Sequence, residues 1–196
     1  MQQPVLERWL AAVLTTPGLT AIDDVAAARS MLLDDALRAT DLVASEAGPI
    51  VDVGSGGGTP GIPLAVALPD RAVTLLEAEQ RKARFLDTWA AELPNVTVLC
   101  GRAEEQPSEQ FGVAVAKALA QPPTAAEWCL PLVREGGLVV LWVGASVVPD
   151  RVAEVAAQIG GALEPSLPGL LTIRKTGPTP PGFPRRIGVA KKRPLA

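Results

Sequence analysis

The side chains best suited to chemistry cluster in one stretch, Ile50-Val51-Asp52-Val53-Gly54-Ser55-Gly56-Gly57-Gly58-Thr59-Pro60-Gly61. An aspartate among three apolar residues reads as the end of a buried parallel strand. The glycines allow a sharp turn that brings bare N–H groups against a ligand. Pro60 and Pro63 fall where a helix can begin, because proline is tolerated in a first helical turn. Strand, glycine turn and helix in succession open a nucleotide-type site. About 20 residues on, the strand predicted over 72–77 ends in a second acid, Glu77, where such folds set a carboxylate on ribose hydroxyls.

Two frames compete over which nucleotide is bound. Gly56-Gly57-Gly58-Thr59-Pro60-Gly61 satisfies the dinucleotide pattern GxGxxG. Asp52-Val53-Gly54-Ser55-Gly56-Gly57-Gly58 has an acid-x-Gly-x-Gly-x-Gly form that resembles the first motif of S-adenosylmethionine-dependent methyltransferases. A pyrophosphate wants a helix N-terminus free of negative charge. A sulfonium and an ammonium instead favour an acid at the strand end, so the second frame fits better. It makes Asp52, Gly54, Gly56, Gly58 and Glu77 the candidate donor site. The plain alternative, a glycine turn without a ligand, leaves the acid and the register of Glu77 unexplained.

Composition narrows the chemistry further. At 196 residues and 48% hydrophobic content, the chain suits one globular domain with a filled core. No apolar run approaches the ~18–20 residues of a membrane span, and no basic region precedes an apolar leader, so a cytoplasmic protein without membrane contact is expected. Cys100 and Cys129 lie in apolar contexts and read as buried thiols in a reducing compartment. The sequence has no histidine, so Ser-His-Asp and Cys-His nucleophiles and imidazole-ligated zinc cannot be built; no metal site is expected. Residues 171–196 hold seven of the 18 basic side chains and none of the 21 acids, which leaves 11 basic and 21 acidic in the first 170. An acidic body with a basic, Pro-rich tail suggests local engagement of a polyanion, although such a tail also serves as a disordered solubilising segment.

Around these residues the elements alternate. Helical periodicity marks 4–15, with Val5, Leu6, Trp9, Leu10 and Val13 apolar, and a second helix over 24–44 carrying Met31, Leu32, Leu33, Ala36 and Leu37. From residue 50 onward, strands predicted at 72–77, 95–100, 111–118 and 138–143 alternate with helices at 63–68, 79–93, 124–133 and 148–159, and a last strand covers 170–174. This order argues for a parallel three-layer α/β sheet. One domain over 1–196 is expected, with N-terminal helices in 1–47, the core in 48–174 and the basic tail in 175–196.

Several stretches together resemble the RsmG (GidB) family, which methylates N7 of a guanine in bacterial 16S ribosomal RNA. They are Asp52 to Leu64, Thr74-Leu75-Leu76-Glu77, Arg81-Lys82-Ala83-Arg84-Phe85-Leu86, Gly101-Arg102-Ala103-Glu104-Glu105, Glu127-Trp128-Cys129-Leu130-Pro131-Leu132 and the tail from Arg174 to Leu195. The glycine motif alone is shared by many methyltransferases; joined to Gly-Arg-Ala-Glu and this tail it is specific. The resemblance implies a Rossmann-like class I methyltransferase fold, with a mostly parallel central sheet, helices on both faces and an N-terminal helical cap. It implies donor contacts at Gly54, Thr59, Ala103, Glu104 and Lys117, with 16S ribosomal RNA or the small subunit as partner. The chain departs from the family pattern in having Lys117 for an arginine, Leu32 for a histidine, Gly112 for an acid, and Leu141-Trp142-Val143-Gly144 for Ala-Leu-Lys-Gly.

Methyl transfer to guanine N7 needs no general base, because N7 carries a lone pair and no proton. A chain without histidine suits it. Lys117, at a strand's carboxyl end, is positioned to touch O6, phosphate or the donor carboxylate while leaving N7 free. Arg185, Arg186, Lys191, Lys192 and Arg193 are the candidate phosphate contacts. With few aromatic residues for base stacking, the RNA specificity is expected to come from an assembled particle, approached by a monomer. The alternatives are a non-catalytic RNA-binding relative that keeps the fold, and a nicotinamide dehydrogenase, which Asp52 and the absence of a histidine proton partner disfavour.

Overall fold

The computed structural model describes residues 3–196. Helix α1 (Gln3–Thr15) buries Leu6, Trp9, Leu10 and Val13 on one stripe, the spacing its periodicity predicts. The single helix predicted over 24–44 is broken into α2 (Val25–Ala28), a π-helical segment (Arg29–Asp34), α3 (Asp35–Leu37) and α4 (Thr40–Ala44). In a π-segment the i→i−4 ladder is lost and the side chains are rephased, so Leu33 and Ala36 are buried while Met31 is turned outward, 54% exposed.

The sheet comprises β1 (Ile50–Val53), β2 (Val73–Glu77), β3 (Val96–Cys100), β4 (Phe111–Lys117), β5 (Val133–Trp142), β6 (Gly161–Glu164) and β7 (Leu170–Lys175), in the order β3-β2-β1-β4-β5-β7-β6. The first five are mutually parallel, and β7 runs antiparallel to both β5 and β6. Helices α5 (Gly61–Ala67), α6 (Gln80–Ala90), α7 (Pro122–Cys129) and α8 (Pro149–Gln158) make the crossovers, and α9 (Val189–Lys192) lies in the tail. The chain direction across the sheet reverses between β1 and β4, which marks where ligands bind in open α/β folds.

Period-2 alternation divides the core in two. Ile50, Val73, Leu75, Val113, Val115 and Leu138 face the N-terminal helices, α5 and α6. Val51, Val53, Leu76, Ala114, Ala116 and Val139 face α7 and α8. Gly112 explains one departure from the family pattern: a Cβ there would lie 1.8 Å from the Ala47 carbonyl oxygen, so no side chain fits.

Three predicted features differ. The helix expected over 124–133 ends at Cys129, and β5 starts at Val133, because Val133 pairs with Phe111 before a register shift leads to the Val113–Leu138 pairing. The Gly/Pro-interrupted stretch between the predicted helix 148–159 and strand 170–174, for which the sequence predicts no element, contains the short edge strand β6. Cys100 is exposed, since β3 is an edge strand, whereas Cys129 is buried. Among the described residues, no helix is long and apolar enough to cross a membrane.

Candidate active site

The glycine turn leaves β1 at the switch point. Gly54 and Gly56 adopt left-handed φ of +72° and +56°, which glycine reaches without steric cost. The turn is tied down from three sides. Gly56 N–H donates to Glu77 Oε2 (2.8 Å), Trp9 Nε1 donates to the Gly57 carbonyl (2.8 Å), and Thr59 Oγ1 donates to the Leu32 carbonyl (2.7 Å). Glu77 also accepts from Glu79 N–H through Oε1 (2.7 Å). The N-terminal helices thus clamp the turn as well as covering the core.

A cavity of about 500 Å³ opens beside it, within the range of small-molecule sites. Of the candidate donor residues, Gly54, Gly56, Thr59, Glu77, Ala103, Glu104 and Lys117 line this cavity. A Cβ at Gly56 would meet only the Gly54 carbonyl, at 3.8 Å, so any side chain there would fill the cradle instead. Thr20, Leu119 and Trp128 are also part of the wall. Sequence reasoning assigns these three no role, although Thr20 lies where the stretch resembling the family begins, at Leu19-Thr20-Ala21-Ile22, and Trp128 lies in the Glu127–Leu132 match.

Asp52 and Gly58 require correction. Asp52 is fully buried and outside the cavity, because alternation puts it on the same face as Ile50, under α5. There Oδ2 accepts from Gly61 N–H (3.0 Å), while Oδ1 has no partner. Burial, against the opposing pull of the Gly61 hydrogen bond, pushes its pKa up to about 7. Asp52 therefore holds the turn to the helix and does not face a sulfonium. Gly58 and Gly61 also face inward: Cβ atoms there would fall 2.4 Å from Ile62 and 2.3 Å from Leu75. The GxGxxG frame consequently serves packing, with no phosphate cradle at its last two glycines.

For Asp52, a folded pKa above the unfolded one means that stability is fully present below about pH 4 and declines as pH rises toward 7. At about 1.4 kcal/mol per pKa unit, the loss is a few kcal/mol. Asp52→Asn removes this dependence, so the Tm of the variant minus that of wild type should increase from pH 4 to 7 and then level off in thermal melts.

Lys117 sits where the cavity meets the cap. Its Nζ pairs with Asp35 Oδ2 and donates to the Met31 carbonyl (2.7 Å). Burial raises the Asp35 carboxyl, but hydrogen bonds from Lys117 and Arg38 outweigh it and hold the group below its ordinary value. The Trp142 indole N–H donates to the Asp35 carbonyl (3.0 Å).

The tail is docked, contrary to a freely solvated segment. Arg185 forms a two-pronged pair with Glu127 (Nε–Oε1 and Nη2–Oε2 both 2.5 Å) and donates to the Arg193 carbonyl (3.0 Å). Glu127 is 2% exposed, so Arg185 is occupied internally and is corrected from a phosphate contact to a structural one. Arg186, Lys191, Lys192 and Arg193 are exposed. Gly188 N–H reaches Glu104 Oε1 (3.2 Å), which joins the tail to the cavity rim, and Phe183 packs on the α7/α8 core.

A five-stranded parallel sheet closed by an antiparallel hairpin, with a glycine turn at its switch point, defines a Rossmann-like class I methyltransferase fold. Solved structures share it. They include a predicted O-methyltransferase from Agrobacterium tumefaciens (TM-score 0.60, 24% identity, 72% of this chain and 81% of that one). They also include a Thermus thermophilus 16S rRNA N2 G1207 methyltransferase in complex with AdoMet and guanosine (TM-score 0.52, 16% identity, 69% and 37%). Residues 5–158 match the family model GidB, rRNA small subunit methyltransferase G, and the chain belongs to that family. It is 35% identical to the ribosomal RNA small subunit methyltransferase G of Roseiflexus sp. (strain RS-1), over 92% of this chain and 85% of the relative. It is 37% identical to the protein of the same name from Rubrobacter xylanophilus, over 91% and 74%.

Proposed function

We propose that this protein transfers a methyl group from S-adenosylmethionine to N7 of a guanine in 16S ribosomal RNA. The observation that carries the reading is the bare-backbone cavity of a GidB-family chain, with Glu77 at its strand end and Lys117 at its mouth. The residues fit the donor: Glu77 keeps acceptor capacity for ribose hydroxyls beyond its two backbone bonds, Ala103 and Glu104 flank the space for adenine, and the open cradle at Gly56 admits the amino-acid end. Bound there, the donor supplies a methyl whose bond to sulfur breaks as the bond to N7 forms, the electron pair remaining on sulfur.

The protein's part is placement. Proximity and orientation are worth ~7–11 kcal/mol in favourable cases, and no side chain has to move a proton. Lys117 spends two of its three N–H donors on Asp35 and the Met31 carbonyl and offers the third to guanine O6 or to the donor carboxylate. The exposed Arg186, Lys191, Lys192 and Arg193 hold RNA phosphates. On this reading the protein acts as a cytoplasmic monomer on the small subunit.

Incubation with labelled donor and small-subunit particles lacking the modification should place label on one guanine N7. Absence of label from every guanine N7, under conditions where calorimetry shows donor binding, would instead favour a non-catalytic RNA-binding relative. Removing the Lys117 cation should cost about one hydrogen bond to a charged group, ~1.5–3 kcal/mol. Lys117→Met is therefore expected to lower kcat/KM for the particle by roughly 10- to 150-fold, and Lys117→Arg to recover most of it in the same assay.

A further inference from the structure

A second cavity, of about 520 Å³, lies against the first and shares Lys117 and Ala118 with it. It occupies the carboxyl ends of β4 and β5, between the cap and the first turn of α8. Its charged lining is Arg38, Lys117 and Arg151 against the single acid Asp35, a positive excess set in the acidic part of the chain. Arg38 is held by Asp35 (3.0 Å) and the Pro168 carbonyl. Arg151 is exposed and, among the described residues, has no ion pair or side-chain hydrogen bond. The aromatic in the lining is Trp142, half-buried, with its indole N–H fixed on the Asp35 carbonyl.

An anchored indole, an uncommitted guanidinium and a wall shared with the donor cavity suit one kind of occupant. Unpaired RNA bases are recognised by stacking on aromatic or guanidinium planes, and their phosphates by arginine. We infer that this second cavity receives the acceptor nucleotide of the RNA, unstacked from its neighbours, with Trp142 against the base and Arg151 on a phosphate of that nucleotide or the next. The inference rests on the methyltransferase reading above and adds to it the residues that seat the substrate. It also gives Trp142, a departure from the family pattern, a task specific to this chain.

The test is steady-state methylation of unmodified small-subunit particles, with donor affinity measured separately by calorimetry. Arg151→Ala is expected to raise KM for the particle about 10-fold, to leave donor Kd within about twofold, and to reduce the slope of log(1/KM) against log salt by about one charge. Arg151→Lys should restore the slope and part of the KM. Trp142→Leu should lower kcat/KM at least 10-fold, with Trp142→Phe intermediate. Arg151 is exposed on α8, so its truncation leaves the fold intact even if Trp142→Leu does not fold. Should wild type methylate the particle while Arg151→Ala keeps its KM and salt slope, the seating role is wrong and the methyltransferase reading stands. Should wild type fail to methylate although it binds donor, it is the parent reading that fails.

Discussion

Arg185→Ala is expected to destabilise the protein by ~3–5 kcal/mol, the cost of leaving a buried charge without its partner. Glu127 is 2% exposed and both of its oxygens are bound to the Arg185 guanidinium at 2.5 Å. In a chain of this length each kcal/mol shifts Tm by about 2–4 °C, so thermal melts should fall by roughly 6–20 °C. Adding Glu127→Gln should recover part of the loss, because the orphaned charge disappears with it. A phosphate-contact role for Arg185 predicts a different pattern, with weakened RNA affinity and an unchanged melt. The docked tail argues against that pattern, since Arg185 also donates to the Arg193 carbonyl.

The second large effect concerns Glu77. Its carboxylate holds Gly56 N–H at 2.8 Å and Glu79 N–H at 2.7 Å from a site that is 8% exposed. Hydrogen bonds to charged groups are worth ~1.5–3 kcal/mol each. Glu77→Ala removes the support of the glycine turn together with the carboxylate proposed to hold the ribose hydroxyls. Donor Kd measured by calorimetry is expected to rise at least ~100-fold, equivalent to about 2.7 kcal/mol. Glu77→Gln keeps the acceptor oxygen for one of the two N–H groups and should fall between. Donor binding by Glu77→Ala at wild-type strength would remove this residue from the site.

How much of this was legible in the sequence depended on the range of the interaction. The β1–turn–α5 unit and Glu77 are local: glycine content, apolar runs and spacing specify them, and a cavity lies beside the turn. Asp52 misled because its place in the motif suggested ligand contact, whereas strand alternation sends its side chain under α5. The break at Arg29–Asp34 left no mark in residue type, since a π-segment uses ordinary helix formers. Cys100 looked buried from its neighbours, but its exposure follows from β3 being at the edge of the sheet, a property of topology. Arg185 was the hardest to read. Its partner Glu127 is 58 residues away, and a tail rich in cations gives no local sign of which one turns inward.

On the proposed reading, a donor in the Gly54–Gly56 cradle faces an acceptor space across Lys117. A crystal structure with S-adenosylhomocysteine tests it most directly. The expected result has the ribose hydroxyls on the Glu77 carboxylate and the sulfur directed past Lys117 toward Trp142 and Arg151. A ligand seated elsewhere, or with its sulfur against the closed wall beneath α5, would contradict it.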